Sequence, residues 1–377
     1  MNWSAIAAQI VERTLQLQRG ERVVYLADPN ECPELFQEVR AAVLRRGGIE
    51  QATILGWSRQ LAEQRTGGGR KLDAEVSRLE RAAHLDLMNT ADVFMWLPTS
   101  FDWPEAISTW ESEWVLARWR GRGVHFHWFP DAGSPPGHPV HREVQQIYER
   151  AILDLDYAAH AARQRRLVGA IRGRTLRVTT PEGTDLTFEC PQDGWYCRND
   201  GDASAEKART ATTARDREEE LPCGAVRLIP SEHSASGILK LRGGISGHTW
   251  NWNGTGLDLT TLGDDIELVF ANGRVTELRS GLHQRELDGI RAGLRGDWDR
   301  IGEIVFGTNP LLVTPKEAKM PVYWGFGDGA LRVHLGENWE SGGRYASDLY
   351  INLFLMNTTV DVRGGDTILR GGRLLVQ

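Results

Sequence analysis

Three apolar, β-prone blocks towards the C-terminus carry isolated polar side chains that could do chemistry. They read Gly-Glu-Ile-Val-Phe-Gly-Thr-Asn-Pro (Gly302 to Pro310), Pro-Val-Tyr-Trp-Gly-Phe-Gly-Asp-Gly (Pro321 to Gly329) and Ser-Asp-Leu-Tyr-Ile-Asn-Leu (Ser347 to Leu353). Alternate residues of a strand point the same way, so Tyr350 and Asn352 would share a face. Glu303 supplies a carboxylate, whereas Tyr323, Tyr350 and Asn352 supply neutral hydrogen-bonding groups. A carboxylate and a phenol such as Glu303 and Tyr323 could shuttle a proton. For nucleophilic catalysis there is no Gly-x-Ser-x-Gly and no cysteine–histidine signature.

Other groupings could ligate a metal. His125 and His127 alternate on the run Val124 to Phe129, and His138 and His141 follow the next loop. Histidines two apart at a strand end are more often surface or interface residues, and that reading is preferred. Glu232-His233 and the His334/Glu337 pair each lack a convincing second cluster. No metal and no cofactor is expected. Gly67-Gly68-Gly69 has neither a leading strand nor a following Gly-Lys-Ser/Thr, so it reads as a loop and not a phosphate cradle.

Tryptophan is the unusual component, with 14 residues in 377. Trp110, Trp114 and Trp119 sit at near-helical spacing and read as core. Trp250, Trp252, Trp324 and Trp339 lie in glycine- and asparagine-rich segments, where large rigid rings suit the gripping of a ligand.

The net charge of -7 and pI ≈ 5.9 argue against a general nucleic-acid binder. No apolar run approaches the ~18 residues of a membrane span, and nothing near the N-terminus resembles a signal peptide. The chain reads as a cytoplasmic protein. Its 4 cysteines make no disulfide framework, and Cys190 and Cys197 are expected to be free thiols.

The elements that must position these groups fall into two patterns. Up to residue 129, strands (Arg22 to Ala27, Gln51 to Leu55, Asp92 to Leu97, Val124 to Phe129) alternate with helical spacing (3 to 18, Cys32 to Arg46, Lys71 to Ala83, Glu105 to Arg120). That alternation predicts an open, largely parallel α/β sheet. His141 to Arg172 reads as one long connecting helix, so the domains are 1–172 and 173–377. From Arg174 strands dominate: Leu176 to Thr179, Leu186 to Cys190, Ala225 to Ile229, Gly237 to Leu241, Ile266 to Phe270 and Val275 to Ser280. Asn272-Gly273 marks a two-residue hairpin, and Glu286 to Leu294 reads as helix. Residues 202 to 220 are polar and read as a mobile loop.

The three blocks resemble the C-terminal signature of the dimeric metallo-aminopeptidases of the leucyl aminopeptidase, aminopeptidase T type. Gly-Glu-Arg-Val-Val-Tyr (Gly20 to Tyr25) resembles the start of the same family's N-terminal domain, so the likeness spans nearly the whole chain. The resemblance implies a metal-binding glutamate at Glu303, a histidine ligand at Tyr323 and a His-x-Asp pair at Tyr350 and Asn352. The family's Leu-Pro-x-x-Glu-Val block reads Leu221-Pro222-Cys223-Gly224-Ala225-Val226 here, with alanine for glutamate. Its catalytic tyrosine falls near Ala330 and Leu331 and is absent. A two-metal hydrolytic site needs several carboxylates and imidazoles, and one surviving carboxylate cannot supply them.

The expectation is an aminopeptidase T-like fold without metals or hydrolysis. It would bind a peptide or amino-acid-derived ligand through Glu303, Tyr323, Trp324, Tyr350 and Asn352, and assist the tailoring of a peptide natural product. A homodimer is implied by the resemblance. One alternative is rewired chemistry, since 2,5-dihydroxypyridine dioxygenases share this scaffold with a single iron. The other is a structural subunit of a hetero-complex.

Overall fold

The computed structural model describes residues 1–55, 79, 82–83, 86–98, 119–128, 138–242, 249–251, 265–318, 321–347 and 349–376. The Gly67 loop, Trp110, Trp114, Trp252 and nearly all of the helices expected at 71–83 and 105–120 lie outside those residues. The chain forms two compact units, 1–128 with 201–222, and 129–200 with 223–377.

The first unit is a parallel sheet. β1 (Arg22–Ala27), β2 (Ile49–Leu55), β3 (Val93–Trp96) and β4 (Arg122–Phe126) are joined by β8 (Glu218–Leu221), in the order β2-β1-β3-β4-β8. β1 and β3 are almost wholly apolar and buried, as a sheet covered on both faces requires. The helix Pro33–Arg45 opens on its proline and buries Leu35, Val39, Ala42 and Val43, an i, i+4, i+7, i+8 stripe. The expected helix at 3 to 18 is shorter: an α-helix over Trp3–Ala8 passes into a π-turn over Gln9–Thr14. Leu15 and Leu17 follow it fully buried. Arg122 holds this end to the sheet, donating from Nη2 to the Leu15 carbonyl at 3.0 Å and from Nη1 to Glu21 at 2.7 Å.

Two expectations are corrected here. The division between units falls at 128/129 and not at 172/173, because Leu167 and Ile171 pack into the core of the second unit, and 201–222 returns to the first. Residues 202 to 220 are not a free loop but carry a helix, Ala205–Arg209, and most of β8. The most deeply buried polar side chain among them has internal partners. Glu219, 0% exposed, accepts from Lys207 Nζ at 3.1 Å and from the Gly201 amide at 2.7 Å.

The second unit opens on two helices, Val140–Leu153 and Tyr157–Ile171, in place of one. The chain breaks at Asp154-Leu155-Asp156, and Asp156 caps the second helix by accepting from the Ala159 amide at 3.0 Å. The rest is antiparallel. β5 (Thr175–Thr179), β6 (Asp185–Glu189), β10 (Ser236–Leu241), β12 (Ile266–Ala271), β13 (Arg274–Arg279), β17 (Thr359–Val362), β18 (Thr367–Arg370) and β19 (Arg373–Leu374) make an eight-stranded sheet. β7 (Tyr196–Asn199), β9 (Ala225–Leu228), β11 (Thr249–Asn251), β14 (Ile301–Gly307), β15 (Leu331–Gly336) and β16 (Tyr350–Leu355) make a six-stranded one, ordered β11-β16-β15-β14-β9-β7. One core joins both sheets, with Phe188 and Leu239 from the larger and Ile304, Val333 and Leu353 from the smaller. Leu167 and Ile171 of the second helix and Leu287 of the helix Gln284–Gly293 extend it.

The hairpin between β12 and β13 is the expected one. Asn272 (φ 51°) and Gly273 (φ 77°) are both left-handed, as a type I′ turn requires. Asn272→Ala should cost about 1 kcal/mol, the price of a left-handed alanine, as a lower denaturant midpoint. An unchanged midpoint would show that the hairpin does not depend on this turn.

Candidate functional site

Alternation along the six-stranded sheet sorts its residues by face. Val226, Leu228, Ile304, Phe306, Leu331, Val333, Ile351 and Leu353 enter the core. The intervening residues turn to the other face and form cross-strand rows. Val305 pairs with Arg227 on β9 and Arg332 on β15, while Glu303 pairs with His334, which pairs with Asn352 on β16. Glu303 therefore sits diagonally between two arginines.

The contacts follow from that register. Arg227 Nη1 donates to Glu303 Oε1 at 2.9 Å, and Arg332 Nη2 donates to the same oxygen at 3.2 Å. Ser341 Oγ donates to Oε2 at 2.5 Å. All three charged groups are buried, with Arg227 1%, Arg332 4% and Glu303 5% exposed. Both guanidiniums lie against the Phe326 ring, 5.2 and 5.7 Å from its centroid. A flat, weakly hydrated guanidinium tolerates such burial better than an ammonium would.

A cavity of ≈ 220 Å³, counting its open mouth, adjoins this knot. Glu303, His334, Glu337, Asn338, Trp339, Glu340, Ser341 and Tyr350 line it. Asn338 fastens the short turn Trp339–Ser341 to β14 by donating to the Gly302 carbonyl at 3.1 Å. His334 Nε2 lies 2.5 Å from the Glu337 carbonyl, which can only accept, so that nitrogen carries a proton. The His334 ring stands 4.1 Å from that of Tyr350. Trp339 Nε1 donates to Glu337 Oε1 at 2.8 Å. Burial pushes the Glu337 carboxyl up, and the bond from Trp339 only partly offsets it.

Of the residues singled out in the sequence, Glu303, His334, Glu337, Trp339 and Tyr350 reach this cavity, and Asn352 lies buried in the row beside it. Tyr323 and Trp324 do not line it. They occupy the turn Val322–Gly325 with φ of 46° and 53°, followed by Gly325 at 71°. Two consecutive left-handed aromatic residues store strain of order 1–3 kcal/mol each. Packing holds them: Tyr323 is 1% exposed and meets Tyr148 and Phe326 edge-on, at 5.7 and 5.2 Å. The proton shuttle imagined between Glu303 and Tyr323 has no support in these contacts.

Sequence reasoning missed Arg227, Arg332, Asn338 and Ser341. A signal was present for the arginines, because each interrupts an apolar strand at an off-core position (Ala225 to Leu228, Leu331 to Leu335). Glu232 is taken by Arg344 at 2.9 Å and Arg300 at 3.3 Å, and the hydrogen bond from Arg344 holds its carboxyl below the usual range. All four cysteines are buried thiols outside any disulfide.

These donors do not fit the pair of metal ions that the resemblance implied. Glu303 is occupied by two cationic side chains and a hydroxyl, Tyr350 and Asn352 bring no charge, His334 is turned to a carbonyl, and Glu337 accepts from Trp339.

The fold itself has solved counterparts. A 2,5-dihydroxypyridine dioxygenase from Pseudomonas putida KT2440 superposes with a TM-score of 0.66 at 13% identity, covering 100% of this chain and 97% of that one. AmpT from Thermus thermophilus superposes with a TM-score of 0.64 at 17% identity, covering 100% and 99%. The chain thus has an aminopeptidase T-like fold. No protein-family profile and no curated protein matches it by sequence. Among the described residues, no helix is long and apolar enough to cross a membrane.

Proposed function

We propose that this chain is a non-hydrolytic relative of the aminopeptidases. In this reading guanidiniums have replaced cations at the former metal position, and the adjoining cavity holds the ammonium end of a peptide or amino-acid-derived ligand. The observation that carries it is the buried Glu303 shared by Arg227 and Arg332. A carboxylate committed to two fixed cations is not open to zinc or manganese, nor to the single iron of the dioxygenase alternative.

The cavity's own chemistry supports the ligand class. Glu337 and Glu340 give it acidic character, and the rings of Trp339 and Tyr350 suit a primary ammonium group by cation–π attraction. Its enclosed space is that of about one water-sized group, so only the ammonium head enters and the rest of the ligand stays outside. Trp324, proposed from the sequence as a ligand contact, is replaced in this role by Trp339. The proposal includes a cytoplasmic protein that assists the tailoring of a peptide natural product and, by resemblance, a homodimer.

Titration of the full-length protein with dipeptides, followed by tryptophan fluorescence, tests this. Free-amino dipeptides should shift the emission, and their N-acetylated forms should bind at least tenfold more weakly. Trp339→Ala should lose the response. Equal affinity for free and acetylated peptides, or undiminished binding by Trp339→Ala measured calorimetrically, would discard the reading.

A further inference from the structure

The first unit holds a second group of ligating side chains, at the carboxyl ends of two parallel strands. His125 on β4 pairs with Glu220 on β8. His127 lies two residues beyond His125, and Glu218 two before Glu220, so strand periodicity turns all four to one face. One ligating atom from each of His125, His127 and Glu220 lies within 4.8 Å of the others. The two imidazole rings stand 3.6 Å apart, and Trp96 stacks on His125 at 4.3 Å. Glu218 Oε1 lies 2.8 Å from His125 Nδ1.

We propose that His125, His127 and Glu220 bind a divalent transition-metal ion, with zinc the best match, and that Glu218 orients His125 for it. Two imidazoles and one carboxylate are a donor set suited to zinc with a fourth position open. Metal-bound histidines usually give their other ring N–H to a carboxylate. Glu218 accepting from Nδ1 leaves Nε2 of the neutral ring as the ligating atom. Tetrahedral zinc with bonds of ~2.0–2.2 Å holds its ligand atoms about 3.4 Å apart. The present spread, within 4.8 Å, therefore closes on an ion with a shift of up to about 1.4 Å, which the half-buried His127 side chain can supply. His125 and Glu220 are anchored in the sheet at 7% and 6% exposure, while His127 is half-buried and gives access. Arg215 is the competitor, with Nη1 3.8 Å from Glu218 and 3.9 Å from Glu220. Both ion pairs are long beside the 2.9 Å between Glu303 and Arg227.

The test uses the full-length chain, stripped with EDTA, dialysed and titrated with zinc or cobalt(II) alone. One equivalent should bind, and cobalt should show the intense visible bands of a four- or five-coordinate ion. His127→Ala and Glu220→Gln should each weaken zinc binding at least tenfold, and Glu218→Gln about 10–100-fold. His138→Ala/His141→Ala should leave binding unchanged. No uptake by the unsubstituted protein, or binding that survives both His127→Ala and Glu220→Gln, would overturn the proposal. Should the variants not fold, the cobalt spectrum decides, because weak octahedral bands alone would also overturn it.

Discussion

Glu303→Ala should lower the stability of this protein by about 3–5 kcal/mol, the usual cost of removing one member of a buried ion pair. The substitution takes away the acceptor shared by Arg227 and Arg332 and leaves both guanidiniums in a site that is 1–5% exposed. Ser341 loses its partner as well. Glu303→Gln keeps the shape and one acceptor oxygen, so its loss should be smaller. Arg332→Met leaves the Arg227 bond intact and should also cost less. Denaturant midpoints, read by near-ultraviolet circular dichroism, separate the three variants. A structural carboxylate predicts this order with unchanged metal content. A metal ligand predicts instead that Glu303→Ala releases an ion while stability in excess chelator stays the same, and that result would end the guanidinium reading.

Acidification should destabilise the second unit well before its carboxylates titrate. His160 is 3% exposed on the helix Tyr157–Ile171, beside Gln164 at 3.0 Å. Burial lowers its pKa from 6.5 to about 4, with the nearby charge of Asp200 opposing and that of Arg163 assisting. Between those values the unfolded chain binds a proton that the folded chain refuses, so stability rises with pH there. The contribution is complete above pH 6.5 and is lost as the pH falls towards 4, to a total of about 3 kcal/mol. Burial raises the Asp328 and Glu337 carboxyls, which act in the opposite sense at the acid end. The His160 share is therefore read as a difference: stability of the unsubstituted chain should fall from pH 6.5 to 5 while that of His160→Gln stays flatter. Parallel curves would remove His160 from the account.

Much of the fold was legible in the sequence, and the reason is periodicity. Runs such as Arg22 to Ala27 and Ile266 to Phe270 carry their burial in the order of their side chains, and Asn272-Gly273 carries its own turn. β8 was illegible because Glu218-Glu219-Glu220 has no apolar signature. Its burial depends on Lys207, His125 and the Gly201 amide, which only the folded chain brings near. The site was half legible. Resemblance pointed to Glu303 and Tyr350, but the partners of Glu303 lie 76 and 29 residues away and are chosen by strand register. Tyr323 misled because its type suggested a site group, whereas its backbone conformation and neighbours make it packing. His125 and His127 were set aside as a surface pair because Glu220, facing them across β4 and β8, is remote in sequence.

The route of the chain through its two units also bears on how it must be made. A ribosome delivers β1 to β4 early, but the strand that closes their row, Glu218–Leu221, emerges only after β5, β6 and β7 of the other unit. Until then β4 presents a bare hydrogen-bonding edge, the kind of surface on which strands of neighbouring nascent chains can add. A fragment ending at residue 172 keeps the edge of β4 bare permanently, whereas in the finished sheet the edge belongs to β8, whose Glu218-Glu219-Glu220 run is charged.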